Sequence, residues 1–198
     1  LWMELVRNRP LRILSFFFVI AFTTMSISNA ADSYFMSYNI GATPMMTTVF
    51  MWLGTIPAFI FLPLLPSIKR KIGKAAMFRL FLGISIVGMV LMYVIVSIPS
   101  LSSCFPLVCA IQFVKSVGIL VATGYMWALV PEVVTFGEYT TGRRVAAIVN
   151  AIICIFMKAG MALGGVIPGF VLAWVGFNAS NQVQTPLAQQ GILWLVTL

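Results

Sequence analysis

LFLGISIVGMVLMYVIVSIPSLSSCFPLVCAIQFV, residues 80–114, carries no charged side chain from end to end. A helix needs about 20 mostly apolar residues to cross a bilayer. The run is therefore long enough for most of two crossings, with its turn chemistry gathered between 97 and 106. Uncharged runs of the same kind occupy 13–31, 33–68, 145–157 and 159–198. Dividing them at Pro, Gly and polar clusters predicts helices over 12–36, 45–66, 78–97, 105–129 and 145–175, and a sixth that begins near Gln189 and is cut off at 198. Over the 198 residues, 61% apolar content and a mean hydropathy of +1.06 leave too little polar surface for a globule in water. The fold class is all-α, a polytopic membrane protein whose partner is the lipid bilayer.

The chain opens at Leu1 inside a charged approach, WMELVRNRP at 2–10, and stops within a span, so it reads as a fragment. The first apolar run is too long for a signal peptide and leads into further spans. A net charge of +8 could serve nucleic acid, but its placement argues otherwise. Ten of the twelve cations lie before span one, between spans two and three, or between four and five. The connections near 37–44, 98–104 and 176–188 carry no charge. That is the positive-inside pattern, so residues 1–11, 67–77 and 130–144 are expected to be cytoplasmic in a multi-pass protein of the cell (inner) membrane, with no nucleic-acid partner.

Against that background PEVVTFGEYTTGRR, 131–144, stands out because it holds half of the four acidic residues. Pro131 is expected at the exit of span four, with Gly137 and Gly142 as turn points. Positive-inside topology accounts for Arg143 and Arg144 but not for Glu132 and Glu138, because acids contribute little to it.

The longer run WALVPEVVTFGEYTTGRR resembles the loop between helices ten and eleven of the glycoside-pentoside-hexuronide:cation symporters, the melibiose-permease-like branch of the major facilitator superfamily, with its pattern ADVVDYGEWKTGKR. Val133, Val134, Gly137, Glu138, Thr141, Gly142 and Arg144 fall in register. NRP at 8–10, KRKIGK at 69–74 and MKAG at 157–160 add to the likeness. Glu132 and Thr135 stand where the pattern has aspartates, and Arg70 stands where the related loop motif usually has an acid. The resemblance covers essentially the whole chain. It implies the C-terminal six-helix half of a major facilitator fold with the last helix truncated and the N-terminal half missing, and a secondary transporter that couples a sugar or glycoside to sodium or protons by alternating access. The coupling cation would bind mainly in the missing half. Glu132, Glu138, Arg143 and Arg144 would form a cytoplasmic gate, pairing with loops of that half or with the basic 69–74 segment.

Three charges lie away from the cytoplasmic flanks: Asp32, Lys115 and Lys158. Such groups are costly inside a span and tend to face a bundle interior or an aqueous cavity. At 3.6 residues per turn Asn150, Cys154 and Lys158 share one stripe of span five, while Lys115, Ile119, Thr123 and Trp127 share one on span four. These stripes read as cavity walls. By the resemblance, Lys158 matches a lysine implicated in coupling, and Thr123, Cys154 and Met157 align with neighbours of a sugar pocket. Asp32 is expected to snorkel at the outer end of span one or to pair with a lysine. Gly160 and Gly164 form a GxxxG pair suited to close helix contact.

Three cysteines, none spaced as a framework, and no histidine leave neither a disulfide scaffold nor a metal site to propose. No catalytic set of side chains appears, so the chain is not read as an enzyme and no cofactor is expected. The competing classes are another facilitator for a lipid, drug or organic anion, and a non-transporting membrane scaffold.

Overall fold

A computed structural model of the chain describes residues 6, 8–102, 104–142, 146–179 and 184–197. In chain order they form α1 (Arg9–Tyr34), a π-helical turn (Phe35–Asn39), α2 (Pro44–Phe61), α3 (Leu65–Ile72), α4 (Lys74–Val96), the short α5 (Pro99–Ser102), α6 (Phe105–Thr141), α7 (Ala146–Trp174) and α8 (Pro186–Thr197). Among the described residues there is no strand. The helices α1, α2, α4, α6 and α7 are long and apolar enough to cross a membrane.

Helix starts follow local chemistry. Asn8 accepts the Leu11 N–H at 3.0 Å, with Pro10 in the first turn of α1. Thr43 accepts the Met46 N–H at 3.4 Å ahead of Pro44. Gly73 divides α3 from α4 at φ 79°, a conformation that glycine adopts without the Cβ penalty. Span two stops at Phe61, short of the expected end at 66, and Pro63 sits in the turn that follows. Residues 65–72, expected to be mostly loop, instead form the basic helix α3, whose last turn places Lys69, Arg70 and Lys71 beside the negative end of the helix dipole.

A larger departure concerns residues 130–141. Pro131 does not end span four, and Gly137 is not a turn point; α6 runs through both and stops at Gly142, which takes φ 68° and donates its N–H to Glu138 O at 2.9 Å. Proline removes only one helical hydrogen bond, and here tertiary contacts outweigh that loss. Val130, Val133 and Val134 bury against Leu11, Leu14, Val149 and Ile152. The fully buried Asn8 then ties the start of α1 to this segment, its amide donating to Val133 O at 3.1 Å. A Cβ on Gly137 would lie 2.9 Å from that amide, so the glycine serves close approach within a helix.

Two glycine contacts set the helix layout. The GxxxG of α7 packs on α1: a Cβ on Gly160 would sit 2.6 Å from Val19 O, and one on Gly164 would sit 2.6 Å from Thr23 O. Thr23 Oγ1 donates to Gly160 O at 3.0 Å across the same contact. On the other side, Gly88 of α4 meets the backbone of Lys115, and Gly118 of α6 meets Phe81 O. The helix α6 touches α1, α2, α4 and α7 and is the most thoroughly buried span, as an all-round apolar helix should be. Tyr34, Tyr38 and Phe177 cluster edge to face at the end away from the cations, where aromatic rings suit the membrane–water boundary.

Candidate functional site

Two stretches of regular helix build a buried polar cluster in the bundle. On α1, Ser28 and Asp32 are one turn apart and face the same way; on α6, Gln112, Lys115 and Ser116 do the same. Asp32 and Lys115 form an ion pair, with Nζ 3.2 Å from Oδ1 and side chains only 8% and 1% exposed. Lys115 Nζ also donates to Ser28 Oγ at 3.2 Å, and Gln112 Nε2 donates to Asp32 Oδ2 at 2.7 Å. Lys115 lies ten residues beyond Phe105, roughly 15 Å along the axis of a helix long and apolar enough to cross a membrane. Charges taken out of water each lose several kcal/mol of solvation, which only a good partner and further hydrogen bonds can offset. Both are provided here.

The pair forms part of the wall of a cavity of about 340 Å³ between α1, α2 and α6. Met25, Ser28, Asn29 and Asp32 line it from α1; Met51, Gly54 and Thr55 from α2; Gln112, Lys115, Ser116, Ile119 and Leu120 from α6. Gln112 Oε1 is buried and has no hydrogen-bond partner among the described residues. The wall thus offers an ammonium, a carboxylate, amides and hydroxyls on an apolar frame, a set suited to a small hydroxylated solute.

Of the residues picked from the sequence, Lys115 is in this wall and Asp32 is its partner; Asp32 is buried 83 positions away in sequence and does not snorkel. Thr123 is buried but lines a separate, mostly apolar cavity with Phe17, Phe78 and Leu82. Asn150, Cys154 and Lys158 lie on the exposed side of α7, away from the buried Gly160 and Gly164 that meet α1. Asn150 donates to Ala146 O at 3.0 Å within its own helix. The structure does not gather these five residues into one site. Gln112, Ser28 and Thr55, which also line the cavity, were not among the residues picked from the sequence.

At the charged end, Glu132 reaches the basic segment of its own bundle. Lys74 Nζ donates to Glu132 Oε1 at 2.5 Å, and Lys69 Nζ stands 3.7 Å from the same oxygen and 5.8 Å from the Tyr125 ring centre. The hydrogen bond from Lys74 to Glu132 raises the Lys74 ammonium above its ordinary value. Glu138 lies six residues further along α6, about 240° around the helix, and is exposed on a different face. Arg143 and Arg144 fall outside the described residues. Among the described residues no group of His, Cys, Asp or Glu could hold a metal ion.

Comparison with known proteins agrees with this architecture. The chain is 40% identical to the "Uncharacterized symporter YnaJ" of Bacillus subtilis over 96% of its own length and 40% of the relative's. It is 30% identical to the "Glucuronide carrier protein homolog" of Escherichia coli, covering 98% of the chain and 41% of the relative. It is 27% identical to a "Putative sulfoquinovose importer" of Escherichia coli, covering 96% and 39%. The chain therefore spans about two-fifths of the length of these relatives. No solved structure matches it. The profile of the family described as MFS/sugar transport protein matches residues 1–198, the whole chain, and so the chain belongs to that family.

Proposed function

We propose that the chain is the C-terminal six-helix half of a secondary transporter that carries a sugar or glycoside together with a cation, sodium or a proton, by alternating access. The observation that carries this reading is the buried Asp32–Lys115 pair in the wall of a polar cavity between membrane-capable helices. A membrane scaffold gains nothing from two buried charges, whereas a solute pathway requires polar groups there. The cavity wall can donate and accept hydrogen bonds on neighbouring faces, as sugar hydroxyls demand. Two relatives are named for a glucuronide and for sulfoquinovose, both anionic sugars, which favours an anionic glycoside over a neutral one.

In this reading Lys115 is the cation that meets the solute. Lys158, exposed on the far side of α7, faces the other half of the transporter and serves coupling. Glu132 fastens α3 and α4 to α6, so that the basic segment moves as one body with the bundle when the halves rock.

The test is uptake by the full-length protein in proteoliposomes, with methyl β-D-glucuronide and methyl β-D-glucoside offered under a sodium gradient, a proton gradient or none. Gradient-driven accumulation of the glucuronide that disappears in Lys115→Met supports the reading. No gradient-driven uptake of either sugar counts against it.

A further inference from the structure

We infer that Asp32 is a proton-binding switch worked by Gln112: when an anionic group of the solute engages Lys115, Asp32 takes up one proton, and the Gln112 amide turns over to receive it. The inference rests on the sugar-transport reading of the same cavity and adds to it a proton-binding residue within this half of the transporter.

Charge balance is the first ground. Empty, the site holds one buried cation and one buried anion. An anionic solute at Lys115 would leave a net negative charge in a site walled by apolar helices, an expensive arrangement. One proton from the aqueous cavity, placed on Asp32 Oδ2, restores neutrality with no other bond made or broken. Lys115 is free to change partner: its contacts to Asp32 and Ser28 are both 3.2 Å, longer than the 2.7–2.9 Å usual for charge-assisted bonds, and they occupy two of its three N–H donors.

Gln112 is the second ground. An ionised carboxylate only accepts, so the amide nitrogen must face Asp32, as it does at 2.7 Å. That leaves Oε1 buried without a donor, on a side chain only 2% exposed. Such an orphan is rare in a finished structure and calls for a reason. A protonated Asp32 supplies one, because its O–H needs an acceptor, and a half-turn of the amide presents Oε1 to it while swinging Nε2 toward the cavity and the solute. Gly54 leaves room for this turn: a Cβ there would lie 3.2 Å from Nε2 and 3.5 Å from Ser116 Oγ.

Among the described residues no other charge faces the pair. Lys115 is the charged group facing Asp32 from α6; Cys109, on the same helix, lies in the apolar cluster that contains Ala31. The helices α2 and α8 carry no charged residue, α4 has its cations, Lys74 and Arg79, at the opposite end, α7 carries Cys154 and Lys158 on its exposed side, and the titratable groups that follow Asp32 are Tyr34 at the end of α1 and Tyr38 in the π-helical turn.

The experiment uses the purified full-length protein in sodium-free solution, with methyl β-D-glucuronide and methyl β-D-glucoside as probes, and follows binding and proton uptake together. The wild type should take up one proton per glucuronide bound and none per glucoside. Its glucuronide affinity should fall about tenfold for each unit rise in pH while the empty site is ionised, by linkage. Asp32→Asn should bind glucuronide without proton uptake and with a flat pH profile. Because Asp32→Asn leaves Lys115 without a counter-charge and could fail to fold, Asp32→Asn/Lys115→Met serves as a second, uncharged variant; it should take up no proton and lose its preference for glucuronide over glucoside. One proton per glucuronide in either variant, or glucuronide binding by the wild type without a proton, overturns the switch. Binding of glucoside alone overturns the switch and leaves the sugar reading standing, whereas binding of neither probe overturns both.

Discussion

Lys115 and Asp32 depend on each other energetically. Removing one partner strands the other's charge in an apolar bundle, so Lys115→Met alone should destabilise the protein by about 3 to 5 kcal/mol. Removing both charges with Asp32→Asn/Lys115→Met should cost far less than the sum of the single changes. Thermal unfolding of the three variants in detergent measures the difference, and additive losses would show that the pair is not coupled. The sequence displayed each charge as out of place in its span, because intramembrane charges are conspicuous by their rarity. It offered a lysine as one possible partner for Asp32 but not which lysine, since 83 positions separate the two and no periodicity links one helix to another. Gln112 was illegible for a different reason: an uncharged amide in a span is unremarkable until its neighbour is known to be a carboxylate.

Among the helices, glycine positions give a paired control. Gly164→Ala would push a Cβ to within 2.6 Å of Thr23 O and should separate α1 from α7, at a cost of about 1 to 3 kcal/mol. Gly165→Ala, next to it, meets nothing within 4 Å and should leave the melting temperature unchanged. Equal effects would mean that the two helices are not held by close approach. The GxxxG pattern announced this contact in the sequence, as long uncharged runs announced the spans. The continuation of α6 past Pro131 went unseen, because the signals read there were local breakers while the force that overrides them is burial of Val133 and Val134 and the Asn8 contact from 125 positions away. The Glu132–Lys74 contact at the end of this helix is exposed, so Glu132→Gln should change stability by no more than about 1 kcal/mol. With the Lys74 ammonium held above its ordinary value of 10.5, its contribution is complete at neutral pH and is lost only as pH rises through that elevated value.

For the whole molecule, the distribution of charge specifies an orientation. A cysteine placed at Ser37, in the π-helical turn beside the aromatic cluster, should react with a membrane-impermeant maleimide on intact cells, and one at Ser67, in the basic helix α3, only after permeabilisation. Labelling of Ser67→Cys from outside would reverse the proposed topology. The buried pair also sets an order of events in the making of the protein. Asp32 emerges from the ribosome 83 residues before Lys115, which at about 5 to 20 residues per second is a wait of roughly 4 to 17 s. During that interval the first span holds an unmatched carboxylate near its outer end, a costly group for a spanning helix until its partner arrives. The first span is thus a provisional tenant of the membrane, secured only when the sixth helix arrives with its lysine, and chains arrested before Lys115 should be the ones that quality-control proteases remove.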